Sequence, residues 1–233
     1  MPAPDLFLPR YRPYQLGAWR LDVVPLGVMP GYWSPPTLAE NTAVLSRNGA
    51  TWMSITPLEL ESQGIGVRCA RGHVLIHGLG LGWAAAATAA RDAVSAVTVV
   101  ELDPEIHALH AELDIFAQLP PAARAKIKLI ADNALSYRPA RPVDFLMPDI
   151  WLPLRNDTRL DEVRQMQAHA GAAAIHFWGQ ELEIARHACA AGRALDRAGI
   201  AATIAALGLP LAGLELPDYA ERLAAAAAQH LSL

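Results

Sequence analysis

Cysteine is nearly missing from this 233-residue chain, with Cys69 and Cys189 the only two. That is too few for a disulfide framework or a cysteine-built zinc site. Charge is sparse as well: charged residues make up 18% of the chain, with a formal net charge of −4 and a pI near 6.0. A broad nucleic-acid surface needs the opposite sign, so no nucleic-acid partner is expected. Long apolar runs are also absent. The nearest, residues 199–214, is broken by Gly208 and Pro210 and falls short of the roughly 18 uninterrupted apolar residues of a membrane span. The opening segment MPAPDLFLPR has no basic stretch followed by an apolar one, so no secretory signal is read there. No P-loop and no serine or cysteine nucleophile motif occurs. What is abundant is apolar residues, at 53%, and a mean hydropathy of +0.20. A disordered chain has the reverse composition. The length suits one α/β domain with an appendage, or two small domains. The expectation is a soluble, cytoplasmic globular protein with a large core and no membrane partner.

Residues 1 to about 40 are dense in proline and aromatics, from Pro2, Pro4 and Pro9 to Pro35 and Pro36. Proline fits neither a helix interior nor a central strand, so this region reads as an extended arm with one strand, Trp19 to Val24. Two short strand-like runs follow, Thr42 to Ser46 and Ala50 to Ile55, joined by Asn48-Gly49, a strong hairpin dipeptide. Thr56-Pro57-Leu58-Glu59 reads as a helix start. Thr56 is the N-cap, Pro57 the first helical residue and Glu59 the acid that closes a capping box, with the helix ending near Gly64.

From residue 73 the texture becomes strand and helix in alternation. Strands are expected at His73–His77, Ala96–Glu101, Ile127–Ala131, Val143–Met147 and Ala172–Trp178, with a further one at Ile200–Ala206. Helices are expected at Trp83–Arg91, Pro104–Gln118, Leu160–His169, Leu182–Ala198 and Pro217–Leu231. Short apolar strands alternating with helices imply β-α-β units and a parallel sheet covered on both faces. The expected fold is therefore α/β: a Rossmann-like, doubly wound, mostly parallel sheet over residues 67–233, preceded by a small β-containing region over 1–66.

The strongest chemical signal is Gly78-Leu79-Gly80-Leu81-Gly82, directly after a strand and before a helix. Glycines there let a ligand approach the backbone, and a helix N-terminus favours electron-rich groups. Dinucleotide binders prefer G-x-G-x-x-G. Here the third such position is Trp83, and Gly82 comes one residue early, the G-x-G-x-G register of S-adenosylmethionine-binding proteins; this counts against a nicotinamide-dependent oxidoreductase. Glu101 ends the second strand, where a carboxylate can accept hydrogen bonds from both ribose hydroxyls. Asp132, after the third strand, could face an adenine amino group or cap a short helix. Asp149, after the fourth, stands at the carboxyl end of a parallel strand, where open α/β sheets place their ligands. Asp103-Pro104 reads as a helix cap. His77 and His176 are weaker candidates, because lone strand histidines usually pack. His107 and His110 lie three apart on a helix with no third ligand in view, so no metal is expected. Arg10, Arg12 and Arg20 among aromatics read as a packed arm, a lid or a homodimer contact. Trp151 and Trp178 follow strand ends on the ligand side and read as pocket walls or core.

VLIHGLGLG, VTVVELDPEI, IKLIADNAL and VDFLMPDIW resemble, in order and spacing, the successive motifs of class I S-adenosylmethionine-dependent methyltransferases, and among them the spermidine synthase branch. Many methyltransferases have an acid two positions before the first glycine, where this chain has Ile76. The resemblance covers residues 73–151, about a third of the chain. It implies that Gly78, Gly80 and Gly82 line the methionine and ribose part of the cofactor. Glu101 would bind the ribose hydroxyls, Leu102 pack on the adenine and Asp132 face its amino group. Asp149 matches the first acid of the aminopropyltransferase D-x-x-D-P motif, which helps deprotonate the attacking amine. Leu152 stands where the second acid would be, while Pro153 keeps its place.

The expected activity is S-adenosylmethionine-dependent methyl transfer to a small-molecule acceptor. Aminopropyl transfer from decarboxylated S-adenosylmethionine is the second expectation, and a non-catalytic nucleoside-binding scaffold the third. In either transfer the protein mainly aligns nucleophile, carbon and sulfur, and a base within reach of the nucleophile adds to the rate.

Overall fold

In the computed structural model, which describes residues 6–231, two sheets carry the chain. The first is an antiparallel meander of β1 (Tyr14–Leu16), β2 (Trp19–Met29), β3 (Thr37–Arg47) and β4 (Ala50–Ser54). Helix α1 (Pro57–Cys69) leads into the second sheet. In chain order there follow β5 (Gly72–His77), α2 (Trp83–Ala89), β6 (Val94–Glu101), α3 (Pro104–Leu113), α4 (Pro121–Arg124), β7 (Ile127–Ala131), β8 (Phe145–Pro148), α5 (Arg159–Ala170), β9 (Ala174–Ile175), α6 (Gln180–Ala190), α7 (Arg197–Leu207) and α8 (Tyr219–His230). The second sheet has the order β7-β6-β5-β8-β9, with every pairing parallel. Strand order reverses between β5 and β8, the switch point of a doubly wound Rossmann-like fold, and a crevice opens there beyond the carboxyl ends of the strands.

The core follows from apolar runs that cannot be left in water. His73 to His77 are all buried, and Val97, Val99, Phe145, Leu146 and Ile175 are sealed beside them. Each large side chain buried in this way stabilises the fold by roughly 1.5–3 kcal/mol. The Asn48-Gly49 turn forms as its sequence predicts, with φ of 50° and 81° and Arg47 opposite Ala50.

The N-terminal region differs from the expected arm, because most of it is sheet. Pro2 and Pro4 lie outside the described residues. Pro25 is tolerated within β2 because the ladder steps over it. Val24 pairs with Thr42 and Leu26 with Glu40, while Asn41 between them turns to φ 52°. β1 covers only Trp19 to Leu21 of β2, so no second neighbour requires an N–H from Pro25.

Helix α1 runs past Gly64 to Cys69, so the expected division at 66/67 falls inside a helix. Its Gly66 is required by packing: a Cβ there would lie 2.7 Å from Nδ1 of His176 and 3.0 Å from Cε of Met147. The expected capping box does not form. Thr56 makes no side-chain cap hydrogen bond, and the carboxyl of Glu59 faces elsewhere.

Four further elements depart from expectation. The helix expected at Leu182–Ala198 ends at Ala190, and a separate helix starts at Arg197. The helix at Pro104 stops at Leu113, where Asp114 takes φ 41°, and a 3-10 turn covers Ile115–Gln118. The expected strand 172–178 has only two regular strand residues, although His176 and Trp178 still donate N–H bonds to Leu146 O and Pro148 O. Ile200–Ala206 is helix, not strand, because Asp196 caps it through the Gly199 N–H at 2.8 Å. Beyond β9, among the described residues, the sheet gains only a parallel bridge between Ile175 and Leu211. No helix among the described residues is long and apolar enough to cross a membrane.

Candidate functional site

A cleft of about 850 Å³ opens at the carboxyl ends of β5, β6 and β8 and is roofed by β3, β4 and the start of α1. That volume lies within the roughly 300–1,000 Å³ usual for small-molecule sites. Five of the six tryptophans line it, Trp19, Trp52, Trp83, Trp151 and Trp178. Its wall carries five carboxyl groups, on Glu59, Glu101, Asp103, Glu105 and Asp149, against the single guanidinium of Arg47.

The floor is the glycine loop. Gly78, Gly80 and Gly82 have φ of 93°, 49° and 76°, in the region that side chains resist. At Gly82 a Cβ would also lie 2.5 Å from the ring of His110. The loop is held from three sides. Oε2 of Glu101 accepts the Leu79 N–H at 2.9 Å, while Oε1 accepts the Asp103 N–H at 2.8 Å. His110 on α3 bonds Gly80 O through Nε2 at 2.9 Å, and Sδ of Met53 on β4 accepts the Leu81 N–H at 3.2 Å. Burial lowers the pKa of His110 to about 4, so the ring is neutral and Nε2 is the donor. His107 bonds Glu101 O at 3.0 Å. Both α3 histidines thus serve the loop and the β6 terminus. Among the described residues no group of three or more His, Cys, Asp or Glu side chains is placed to hold a metal.

The other predicted residues distribute as follows. Leu102 stands on the cleft wall 66% exposed, an apolar face with no neighbour covering it. Asp103 caps α3 through the Glu105 N–H at 2.8 Å and meets Arg47 at 3.5 Å, as a structural reading expects. Asp132 is exposed, its Oδ1 accepts the Asn133 N–H at 2.7 Å, and it is not part of the cleft wall; Asn133, Ala134 and Leu135 are. His77 is buried against Sδ of Met166 at 2.9 Å, and His176 against Oε1 of Glu181 at 3.1 Å. Neither histidine lines the cleft.

Asp149 faces the cleft across from the glycine loop, and its carbonyl oxygen occupies the space a Cβ at Gly78 would need. Nε2 of Gln63 on α1 donates to its Oδ2 at 2.5 Å. Burial pushes the Asp149 carboxyl up to about 7, against the opposing pull of the Arg159 charge and the Gln63 hydrogen bond. Glu59, one helical turn before Gln63, was read from sequence only as a cap. It is 7% exposed on the same cleft wall, and burial, then the Asp149 charge, hold it well above the ordinary carboxylate range. Sequence inspection missed Glu59 as a site residue because T-P-x-E is complete as a capping signature; the i, i+4 spacing to Gln63 was the available signal.

Arg159 was also missed, because nothing in the sequence marks a buried arginine. Its side chain is sealed from solvent and donates to the carbonyls of Pro153, Leu154 and Trp178. The guanidinium lies 4.8 Å from the ring centre of Trp151 and 5.5 Å from that of Trp178. It thereby fixes both walls beside Asp149, and its charge opposes the rise of that carboxyl's pKa.

No protein-family model and no curated protein matches the chain. Solved structures similar to it include the methyltransferase domain of bacterial CtHen1-CN, at 17% identity and a TM-score of 0.38 over 49% of this chain and 64% of that one. The DhpI–SAH complex is similar at 15% identity and a TM-score of 0.36, over 50% of this chain and 52% of that one. The spermidine synthase from Thermotoga maritima is similar at 16% identity and a TM-score of 0.39, over 70% of this chain and 52% of that one. In each case the match spans less than two thirds of the solved chain.

Proposed function

We propose that the chain is an S-adenosylmethionine-dependent transferase that moves a methyl group to a small-molecule acceptor. One observation carries the reading: the glycine loop, the Glu101 carboxylate and Asp149, which stand on three different strand ends, converge on one cleft at the switch point. The cleft fits the group. The glycines leave room for close approach, and each Glu101 oxygen keeps a lone pair beyond its one backbone donor for a ribose hydroxyl. Leu102 offers an uncovered apolar surface for the adenine, with Asn133 to Leu135 beside it. Asp132 would act there only after its side chain turned from Asn133 toward the cleft.

When bound, S-adenosylmethionine supplies a sulfonium carbon that is electrophilic without further activation. The residues of the chain then have two tasks. Trp151 and Trp178, held by Arg159, wall the acceptor side and exclude water. Asp149 takes the proton of the acceptor's nucleophilic atom; a pKa near 7 matches a base to neutral pH. The β1–β4 region, within residues 1–66, acts as the cover of a binding unit that starts near 67.

Aminopropyl transfer is the second reading. Glu59 favours it, since it brings a second carboxyl to the cleft although Leu152 supplies none. A thermal-shift panel separates the readings. Ligand at a hundred times its Kd stabilises by roughly 2.7 kcal/mol, which raises the Tm of a chain this size by roughly 5–10 °C. Shifts with S-adenosylmethionine and S-adenosylhomocysteine support methyl transfer. A preference for the decarboxylated donor and methylthioadenosine supports aminopropyl transfer. No shift with any of them overturns both readings and leaves the scaffold.

A further inference from the structure

Glu59 has no task in the fold. Thr56 does not cap through it, and among the described residues no hydrogen-bond donor meets its carboxyl, although the side chain is more than nine-tenths buried. It points into the cleft from α1. Gln63, four residues on and therefore on the same helix face, touches Asp149. Two carboxyls from different elements thus share one confined wall, with the Gln63 amide bonded to one of them.

The groups around the pair offset only one of the two charges that full ionisation would create. From the N-terminal segment, Tyr11 approaches Glu59, but its hydroxyl is spent on Leu81 O at 3.1 Å, and burial keeps it un-ionised. From β6, Glu101 adds a third carboxylate whose oxygens hold backbone N–H groups. From α5, Arg159 donates its Nη hydrogens to carbonyls and sets one positive charge through space against Asp149. At the far rim Arg47 is engaged by Asp103 at 3.5 Å. With both Glu59 and Asp149 ionised, Arg159 would balance one of the two charges and leave the other unmatched.

We propose that Glu59 and Asp149 form a proton-sharing carboxyl pair that gives up its shared proton when a cationic sulfonium ligand enters the cleft, so that Asp149 becomes an ionised base only with the group donor in place. Like charges held close in a low-dielectric site do not both ionise, and such a pair titrates as one unit. A positive charge beside it removes the penalty, and the proton passes to solvent. Glu59 is then a positioning residue acting through Asp149. The inference rests on the cofactor reading above and deepens it: the site recognises the charge of the donor, not only its shape.

The test is isothermal titration calorimetry of the full chain at pH 7, in phosphate and in Tris, whose different ionisation heats report protons exchanged on binding. Two probes are compared, S-adenosylmethionine, which carries the sulfonium charge, and S-adenosylhomocysteine, which lacks it. The expected result is release of about one proton per site with the first and little with the second. Glu59→Gln should still bind S-adenosylhomocysteine, which shows that it folds, and should lose the difference in proton release. Equal release with both probes overturns the proposal while leaving the cofactor reading intact, and so does a difference that survives in Glu59→Gln. If neither probe binds the wild-type chain, the cofactor reading falls and the proposal with it.

Discussion

Oε2 of Glu101 accepts the Leu79 N–H at 2.9 Å, so the acid that ends β6 holds the loop that follows β5. The same carboxylate is the proposed ribose ligand, which gives it two functions and Glu101→Ala two consequences. Loss of the hydrogen-bond partner should weaken S-adenosylmethionine binding by at least about 1 kcal/mol. The freed loop should also lower the Tm of the unliganded protein. Calorimetry and a thermal melt read the two effects separately. Unchanged affinity would remove Glu101 from the site even if the melt shifted.

His110 should be as necessary to the loop as Glu101, although it touches no proposed ligand. His110→Ala frees Gly80 O and removes the ring stacked on Phe116 at 5.6 Å. Leaving a buried acceptor unpaired costs about 1–3 kcal/mol. Chemical denaturation should show a loss in that range, together with weaker cofactor binding. A large stability loss at unaltered affinity would show that the loop keeps its shape without the histidine.

The pH dependence of Asp149 has a definite sign. Its folded pKa of about 7 lies above the ordinary 3.8, so the folded state holds the proton more tightly than the unfolded one. Its contribution to stability is complete below about 3.8 and is lost as pH rises to about 7. Asp149→Asn should therefore gain stability relative to wild type across that window, by at most about 1.4 kcal/mol per pH unit, and then level off. Urea denaturation of both proteins at pH 5, 6, 7 and 8 measures the difference. A difference that does not grow between pH 5 and 7 contradicts the burial of this carboxyl.

Two helical glycines of α1 should respond oppositely to alanine. Alanine usually gains about 1 kcal/mol over glycine within a helix. At Gly64 the nearest obstruction is the end of the flexible Arg68 side chain, 3.1 Å away, so Gly64→Ala should be neutral or stabilising. At Gly66 the new methyl meets the His176 ring at 2.7 Å. That ring is fully buried and tied to Glu181, which also receives the hydroxyls of Tyr32 and Tyr219. It cannot yield, so Gly66→Ala should destabilise by more than about 1 kcal/mol. Melting temperatures of the two variants decide it.

How far the sequence could be read depended on whether each signal was local. The parallel sheet was legible because β-branched and apolar runs recur at β-α-β spacing, and the strands at His73–His77 and Ile127–Ala131 lie where that pattern puts them. The Asn48-Gly49 turn was legible because only a few residue types accept positive φ in succession. Ile200–Ala206 misled because a short apolar run fits a buried strand or a helix equally well, and the deciding contact is the Asp196 cap. The proline-rich start misled because a strand carries proline where its ladder is interrupted, and that interruption depends on the partner strand.

By itself, then, the sequence determined the α/β texture, the glycine loop and the placing of Glu101 and Asp149 at strand ends. Each of these rests on backbone geometry within a few residues. Only the tertiary structure decided which carboxyls share the cleft. It turned Glu59 from a capping residue into a neighbour of Asp149, left Asp132 off the wall, and buried Arg159 between Trp151 and Trp178. Those outcomes depend on how α1 and α5 pack against the ends of β8 and β9. A local residue pattern carries no information about a charge that arrives from another element.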